Sequence, residues 1–506
     1  MQRNILEYLE DTVQKYPQKT AFANDKMGMT FQEVYQVSRS IGTCLHEKGY
    51  EKEPVVIYMH KHPHMIAAFW GVVYSSCFYV PIDEEMPKFR IELIFQNLKP
   101  RAVICDEATS GQIREFEDFT GEVLLYDEIA GYPVNDQALS DIRRKAIDTD
   151  PIYIVFTSGS TGIPKGVVAC HRSVIDYVES LTEVLGVNED SVLANQTPLY
   201  FDACLKELFS SLKCGATTYL VPKALFMFPI KLVEFLNEYK INTVCWVVSA
   251  LTMISSMKTF DKVVPKYLHT VAFGSEVFPI KQFNLWRKAL PNARFINLYG
   301  PTEITCNCTY HPVQKVPGEG EKLPIGRAFP GRRVFLLSEE GGEIREPEQT
   351  GEICVAGESL SLGYYHDPQE TEKSFQERIS PEGKRERYYK TGDMGYLGKD
   401  GNLYFSGRRD FQIKFNGHRI ELEEMERVLD RMPGIEKSCC VTDQRKTCLA
   451  AFYMGEADPG EIRLWMKKRL PGYMVPRKIF QTERLPLTKN GKTDRGALQK
   501  RLEGRR

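Results

Sequence analysis

The stretch IVFTSGSTGIPKGVV, residues 154–168, ends an apolar run in a cluster of hydroxyls and glycines with a single lysine. Gly159, Gly162 and Gly166 permit positive φ and close backbone approach. Thr157, Ser158, Ser160 and Thr161 add hydroxyl donors, and Lys165 adds a mobile point charge. Placed after a buried strand, this inventory suits the oxygens of a triphosphate. It is not a Walker A loop, G-x4-G-K-[ST]. Pro164 precedes Lys165 and Gly166 follows it, so no adjacent hydroxyl is in place to hold magnesium.

The elements that must position this loop are legible as alternating strands and helices. Between Pro54 and Asp106 the order is strand, helix, strand, helix, strand: PVVIYM, HMIAAFWGVVYSS, FYVPID, FRIELIFQNL and RAVICD. From Ser191 to Phe273 the pattern recurs in VLANQT, ACLKELFSSLKC, TTYLVP, IKLVEFLNEYK, INTVCWVVS and LHTVAFG. Such alternation predicts an α/β fold of two packed, mostly parallel sheets. Short strands with glycine turns between Lys322 and Gly357 predict a small β unit. A charged segment from Arg408 onward opens a second domain. The boundary is placed so that residues 1–408 form a large N-terminal domain and 409–506 a small α+β C-terminal domain.

Composition narrows the function. Sixty-six basic residues face 67 acidic ones, so no global basic field is available for nucleic acid or membrane. No run approaches the roughly 18 apolar residues of a membrane span. The N-terminus is a charged, helix-periodic segment (Ile5, Leu6, Leu9, Val13) and is not a signal peptide. Thirteen cysteines lie mostly inside apolar runs, an odd count that fits a reducing cytoplasm better than a disulfide framework.

The loop resembles the signature loop of the adenylate-forming superfamily, which holds acyl- and aryl-CoA ligases, luciferases and the amino-acid adenylation domains of nonribosomal peptide synthesis. Further matches follow in the family's order: GVVYSSCFYVPID (71–83), FDACLKELF (201–209), NLYGPTEIT (297–305), GEICVAGESLSLGYY (351–365), YKTGDMGYL (389–397), GRRDFQIKFNGHRIELEEME (407–426) and LPLTKNGKTDR (485–495). The resemblance covers essentially the whole chain. The last two segments are similar to the amino-acid-activating branch.

The resemblance implies two half-reactions. A carboxylate attacks the α-phosphate of ATP and pyrophosphate leaves; a thiol then attacks the acyl-adenylate and AMP leaves. Charge neutralisation on phosphate calls for Mg2+, lysine and backbone amides. By resemblance, Glu303 holds Mg2+, Thr302 touches phosphate, Tyr299 stacks near adenine, Asp393 accepts the ribose hydroxyls, and Arg408 is a second ribose or phosphate contact. Lys492 bridges the attacking carboxylate and the α-phosphate, with Lys489 as the alternative. A lysine on the small domain reaches the site only if the domains move, and Asp410, at the boundary, matches the family's hinge position. Gly417 faces the thiol tunnel after rotation, leaving room for a phosphopantetheine arm.

In the same comparison Asp202 pairs with the substrate α-ammonium, the main ground for an amino acid substrate. The side-chain pocket carries over as Ala203, Lys206, Trp246, Val271, Phe273, Leu298, Cys306 and Asn307. Lys206 is a cation against an apolar wall and needs an anion. Either a substrate carboxylate or Asp202 itself supplies it. WVVSAL departs from the family's proline-containing run at this point. VYSS (73–76) also replaces its usual Lys-Ala-Gly. The chain ends soon after the lysine loop, so the expectation is a stand-alone, cytoplasmic enzyme that loads a separate acyl or peptidyl carrier protein. D-alanine–carrier protein ligases share that layout. A CoA ligase, or a non-catalytic ATP-binding protein on the same fold, is the alternative.

Overall fold

The structure is a computed structural model and describes residues 2–117, 119–159, 163–318, 321–443, 448–488 and 493–504. Three sheets make up the N-terminal part. A nine-stranded sheet contains, side by side and parallel, the strands Val192–Asn195, Thr243–Val247, Thr270–Gly274 and Arg294–Tyr299. A seven-stranded sheet contains Pro54–Tyr58, Phe78–Pro81, Ala102–Cys105 and the hairpin Pro151–Thr157 with Lys165–Cys170. A six-stranded antiparallel sheet is built around the long strand Arg385–Leu397, with Leu403–Arg408 paired to it. The expected strands and helices of both α/β repeats are present, helix Pro63–Tyr74, helix Lys88–Leu98 and helix Leu205–Cys214 among them.

One core joins the two large sheets. It contains Val55, Ile57 and Tyr79 from the seven-stranded sheet and Cys245, Ala272 and Ile296 from the nine-stranded one. Helical residues such as Val174, Tyr177, Leu205 and Phe209 fill the space between. A second core covers the other face of the nine-stranded sheet and takes Val244, Trp246, Val271, Phe273 and Phe295. Successive strand residues point to opposite faces, so each strand divides its side chains between the two cores. Both faces are dry, which is why these strands read as unbroken apolar runs.

The C-terminal part follows Arg408. Its elements are the two-stranded hairpin Gln412–Phe415 with His418–Glu421, helix Leu422–Asp430, a three-stranded sheet and two further helices. It has its own apolar core, centred on Ile420, Met425, Leu429, Ile462 and Met466. Among the described residues, no helix is long and apolar enough to cross a membrane.

Candidate active site

In the phosphate-loop hairpin Gly159 comes close to Ile163. A Cβ on Gly159 would stand 2.0 Å from the Ile163 carbonyl oxygen, so only glycine fits there. Lys165 opens the returning strand, paired with Thr157, rather than hanging in a loop. Its Nζ donates to Glu370 at 2.7 Å and lies over the Tyr364 ring. Ser158 Oγ donates to the Arg419 carbonyl at 3.0 Å. Ser160, Thr161, Gly162 and Lys492 lie outside the described residues, as does Lys489.

Thr302 and Glu303 form a short 3-10 turn after the strand Arg294–Tyr299. Glu303 is 1% exposed and accepts from Tyr364 Oη at 2.9 Å. Arg419 Nη1 donates to both of its oxygens, at 3.1 and 2.8 Å. Burial favours the neutral acid, but the Arg419 charge outweighs it and holds Glu303 below the usual carboxylate range. Asp393 accepts from Tyr299 Oη at 2.6 Å and Arg408 Nη1 at 2.8 Å. Arg408 also grips Asp410 through two bonds of 2.8 and 2.6 Å. The expected ribose pair and the expected hinge residue are thus one connected cluster. Lys414, from the C-terminal hairpin, stands over the Tyr299 ring, and burial lowers its pKa.

Asp202 sits in a 3-10 turn that runs into helix Leu205–Cys214. Burial raises its pKa, opposed by Thr302 and by the Lys206 charge. One turn on, Lys206 is 4% exposed. Burial disfavours its charge, yet the surrounding anions more than compensate. Of its neighbours, Cys306 is pushed up to about 12 by burial, and the Cys245 thiol higher still, so both are neutral at pH 7. That leaves Glu207 and Asp202 as the nearby acids. Both favour the charged form of Lys206. Glu207 is fully buried, accepts from Asn195 Nδ2 at 3.3 Å, and is pushed up to about 7. Its other oxygen has no hydrogen-bond partner among the described residues.

Three pocket residues need correction. Trp246, Val271 and Phe273 belong to the core on the far face of the nine-stranded sheet, away from the helix that carries Lys206. Trp246 there donates to the Ala194 carbonyl at 2.7 Å. The strand residues on the Lys206 side are their neighbours Cys245 and Ala272. The expected register was off by one, and a shift of one residue reverses the face. Leu298, Cys306 and Ala203 do lie with Lys206 in the shared core or against it. Asn307 accepts from Tyr177 Oη at 2.9 Å.

Gly417 lies at the tip of the C-terminal hairpin with φ +80°, and a Cβ there would meet Val247 at 3.0 Å. Its N–H donates to Glu276 Oε1 at 3.0 Å. A buried ion pair, Arg90 with Glu424, also joins the two parts of the chain. Glu370, Glu207, Glu276, Lys414 and the Arg419 guanidinium were not singled out in the sequence. Of these, Glu207, Lys414 and Arg419 lay inside quoted motifs.

A mixed fold of three sheets with a second small unit docked over buried Glu303, Asp393 and the glycine-rich hairpin defines an adenylate-forming ligase. The chain belongs to the AMP-binding enzyme family, whose model matches residues 9–365; the AMP-binding enzyme C-terminal domain matches residues 424–492. It is 29% identical to a D-alanine–D-alanyl carrier protein ligase of Bacillus cereus (strain G9842) over 510 residues, covering 98% of each chain. It is 31% identical to gramicidin S synthase 2 of Brevibacillus brevis over 497 residues, and spans only 11% of that protein's length. The fold is shared with the Vibrio cholerae adenylation domain AlmE, solved with glycyl-adenosine-5'-phosphate, at TM-score 0.87 and 22% identity; the match covers 100% of this chain and 98% of that one.

Proposed function

We propose that this chain activates an amino acid with ATP as the aminoacyl-adenylate and passes the aminoacyl group to the phosphopantetheine thiol of a carrier protein. The observation that carries the reading is buried Asp202, beside Thr302 and a helical turn before buried Lys206. A carboxylate there meets the α-ammonium, and Lys206 faces whatever occupies the pocket beyond. In this reading the substrate carboxyl faces the Thr302–Glu303 turn and the phosphate hairpin. The gramicidin synthetase and the D-alanyl carrier protein ligase named above support an amino acid over a fatty or aryl acid.

The residues fit ATP with Mg2+. Mg2+ usually takes one or two carboxylates and completes its shell with phosphates and water, and Glu303 offers one buried carboxylate at the hairpin. Bound there, Mg2+ would neutralise phosphate charge as pyrophosphate leaves. Lys165 would do the same from the hairpin, Asp393 and Arg408 would hold the ribose, and Lys492 would bridge carboxyl and α-phosphate. We read the docking of Gly417 on Val247 as the arrangement for the thiol step.

ATP–pyrophosphate exchange over a panel of amino acids, followed by transfer to a phosphopantetheine thiol, tests the reading. Exchange with no amino acid in the panel rejects it.

A further inference from the structure

Besides the Arg419–Glu303 contact, two large-unit side chains hydrogen-bond the backbone of the docked Gly417 loop. Ser158 donates to the Arg419 carbonyl, and Glu276 accepts from the Gly417 N–H. Glu276 follows the strand Thr270–Gly274, and its second oxygen accepts from the Ser249 N–H at 2.8 Å. Ser249 lies in the first turn of helix Val248–Ser256, where a carboxylate is favoured by the unpaired amides and the helix dipole. The residue before that helix is Val247, the one on which Gly417 packs. One carboxylate thus fixes the floor and the loop that rests on it.

The chain bends to bring this about. Ser275, just before Glu276, has φ +69°, a left-handed conformation that costs a non-glycine residue about 1 kcal/mol or more. Glu276 itself is half-buried, with both oxygens used by the Ser249 and Gly417 amides.

We propose that Glu276 is a positioning residue for thiol transfer: it holds the Gly417 loop in the docked arrangement and takes no part in adenylate formation. The inference rests on the two half-reactions proposed above. During adenylate formation Lys492 must approach the site, the Gly417 loop must leave, and the Gly417 bond to Glu276 is absent. Losing it therefore weakens only the second half-reaction.

The test compares the full chain with Glu276→Gln and Glu276→Ala. Three quantities are read: pyrophosphate exchange with the best amino acid of the panel, single-turnover transfer from preformed adenylate to pantetheine, and deuterium uptake of the hairpin 412–421 against the strand Ile435–Thr442. In Glu276→Ala, exchange should stay within about twofold, transfer should fall at least tenfold, and uptake should rise in the hairpin alone. Glu276→Gln keeps one acceptor oxygen and should recover part of the transfer rate. Transfer at the parent rate, or equal loss in both half-reactions, overturns the proposal. A parent that forms no adenylate, with uptake still rising in the variants, overturns the proposed activity and leaves the docking contact standing.

Discussion

Arg419 and Glu303 meet across the two parts of the chain, with one guanidinium nitrogen shared between both carboxylate oxygens at 3.1 and 2.8 Å. The carboxylate proposed to hold Mg2+ is therefore neutralised by the small unit while that unit is docked. Cation and guanidinium compete for one buried group. Removing one partner of a buried pair strands the other at roughly 3–5 kcal/mol, so a replacement cation gains. Arg419→Ala is expected to lower the Mg2+ concentration that half-saturates pyrophosphate exchange several-fold. An unchanged or higher requirement for Mg2+ would falsify the competition.

Lys206 is the residue proposed to select the substrate. Glu207 and Asp202 both favour its charged form, and the acidic reading adds a substrate carboxylate as its partner. The expected preference is glutamate or aspartate. Lys206→Met should cost that preference about 10²-fold, by the same roughly 3–5 kcal/mol stranding cost, while sparing neutral amino acids. If the parent enzyme instead exchanges best with D-alanine or another neutral amino acid, the acidic reading is lost.

Glu207 predicts a pH dependence of stability. Burial raises it to about 7 from an ordinary 4.5. The folded protein thus binds a proton that the unfolded chain releases, and this contribution is full below about 4.5 and is lost as pH rises through about 7. The ceiling is about 3 kcal/mol, at 1.36 kcal/mol per pKa unit. Thermal melts of Glu207→Gln between pH 4.5 and 8 should show a flatter slope than the parent. Parallel curves would remove the group from the account.

Lys492→Ala should abolish adenylate formation and largely spare transfer from preformed adenylate. Loss of a charge-assisted contact at the transition state is worth about 3–4 kcal/mol, or about 10²–10³-fold. Equal loss in both half-reactions would show that Lys492 is not the bridging residue.

Some of this protein was written in its sequence. The alternating strands and helices, the glycine-rich hairpin and the ordered motifs are local patterns, set by backbone sterics and apolar periodicity, and they gave the α/β class and the family. Asp202 and Lys206 could be paired on one helical face because the 3.6-residue period is local too. The side of a buried strand is not local. In TVCWV and TVAFG every residue is buried, so no polar alternation marks the face, and only packing sent Cys245 and Ala272 to Lys206 and Trp246 and Phe273 away. Contacts made across hundreds of residues were equally silent. Arg419 with Glu303 and Glu276 with Gly417 carry no spacing rule, because docking of the C-terminal part brings them together, and Lys165 meets Glu370 only through the tertiary fold of the N-terminal part.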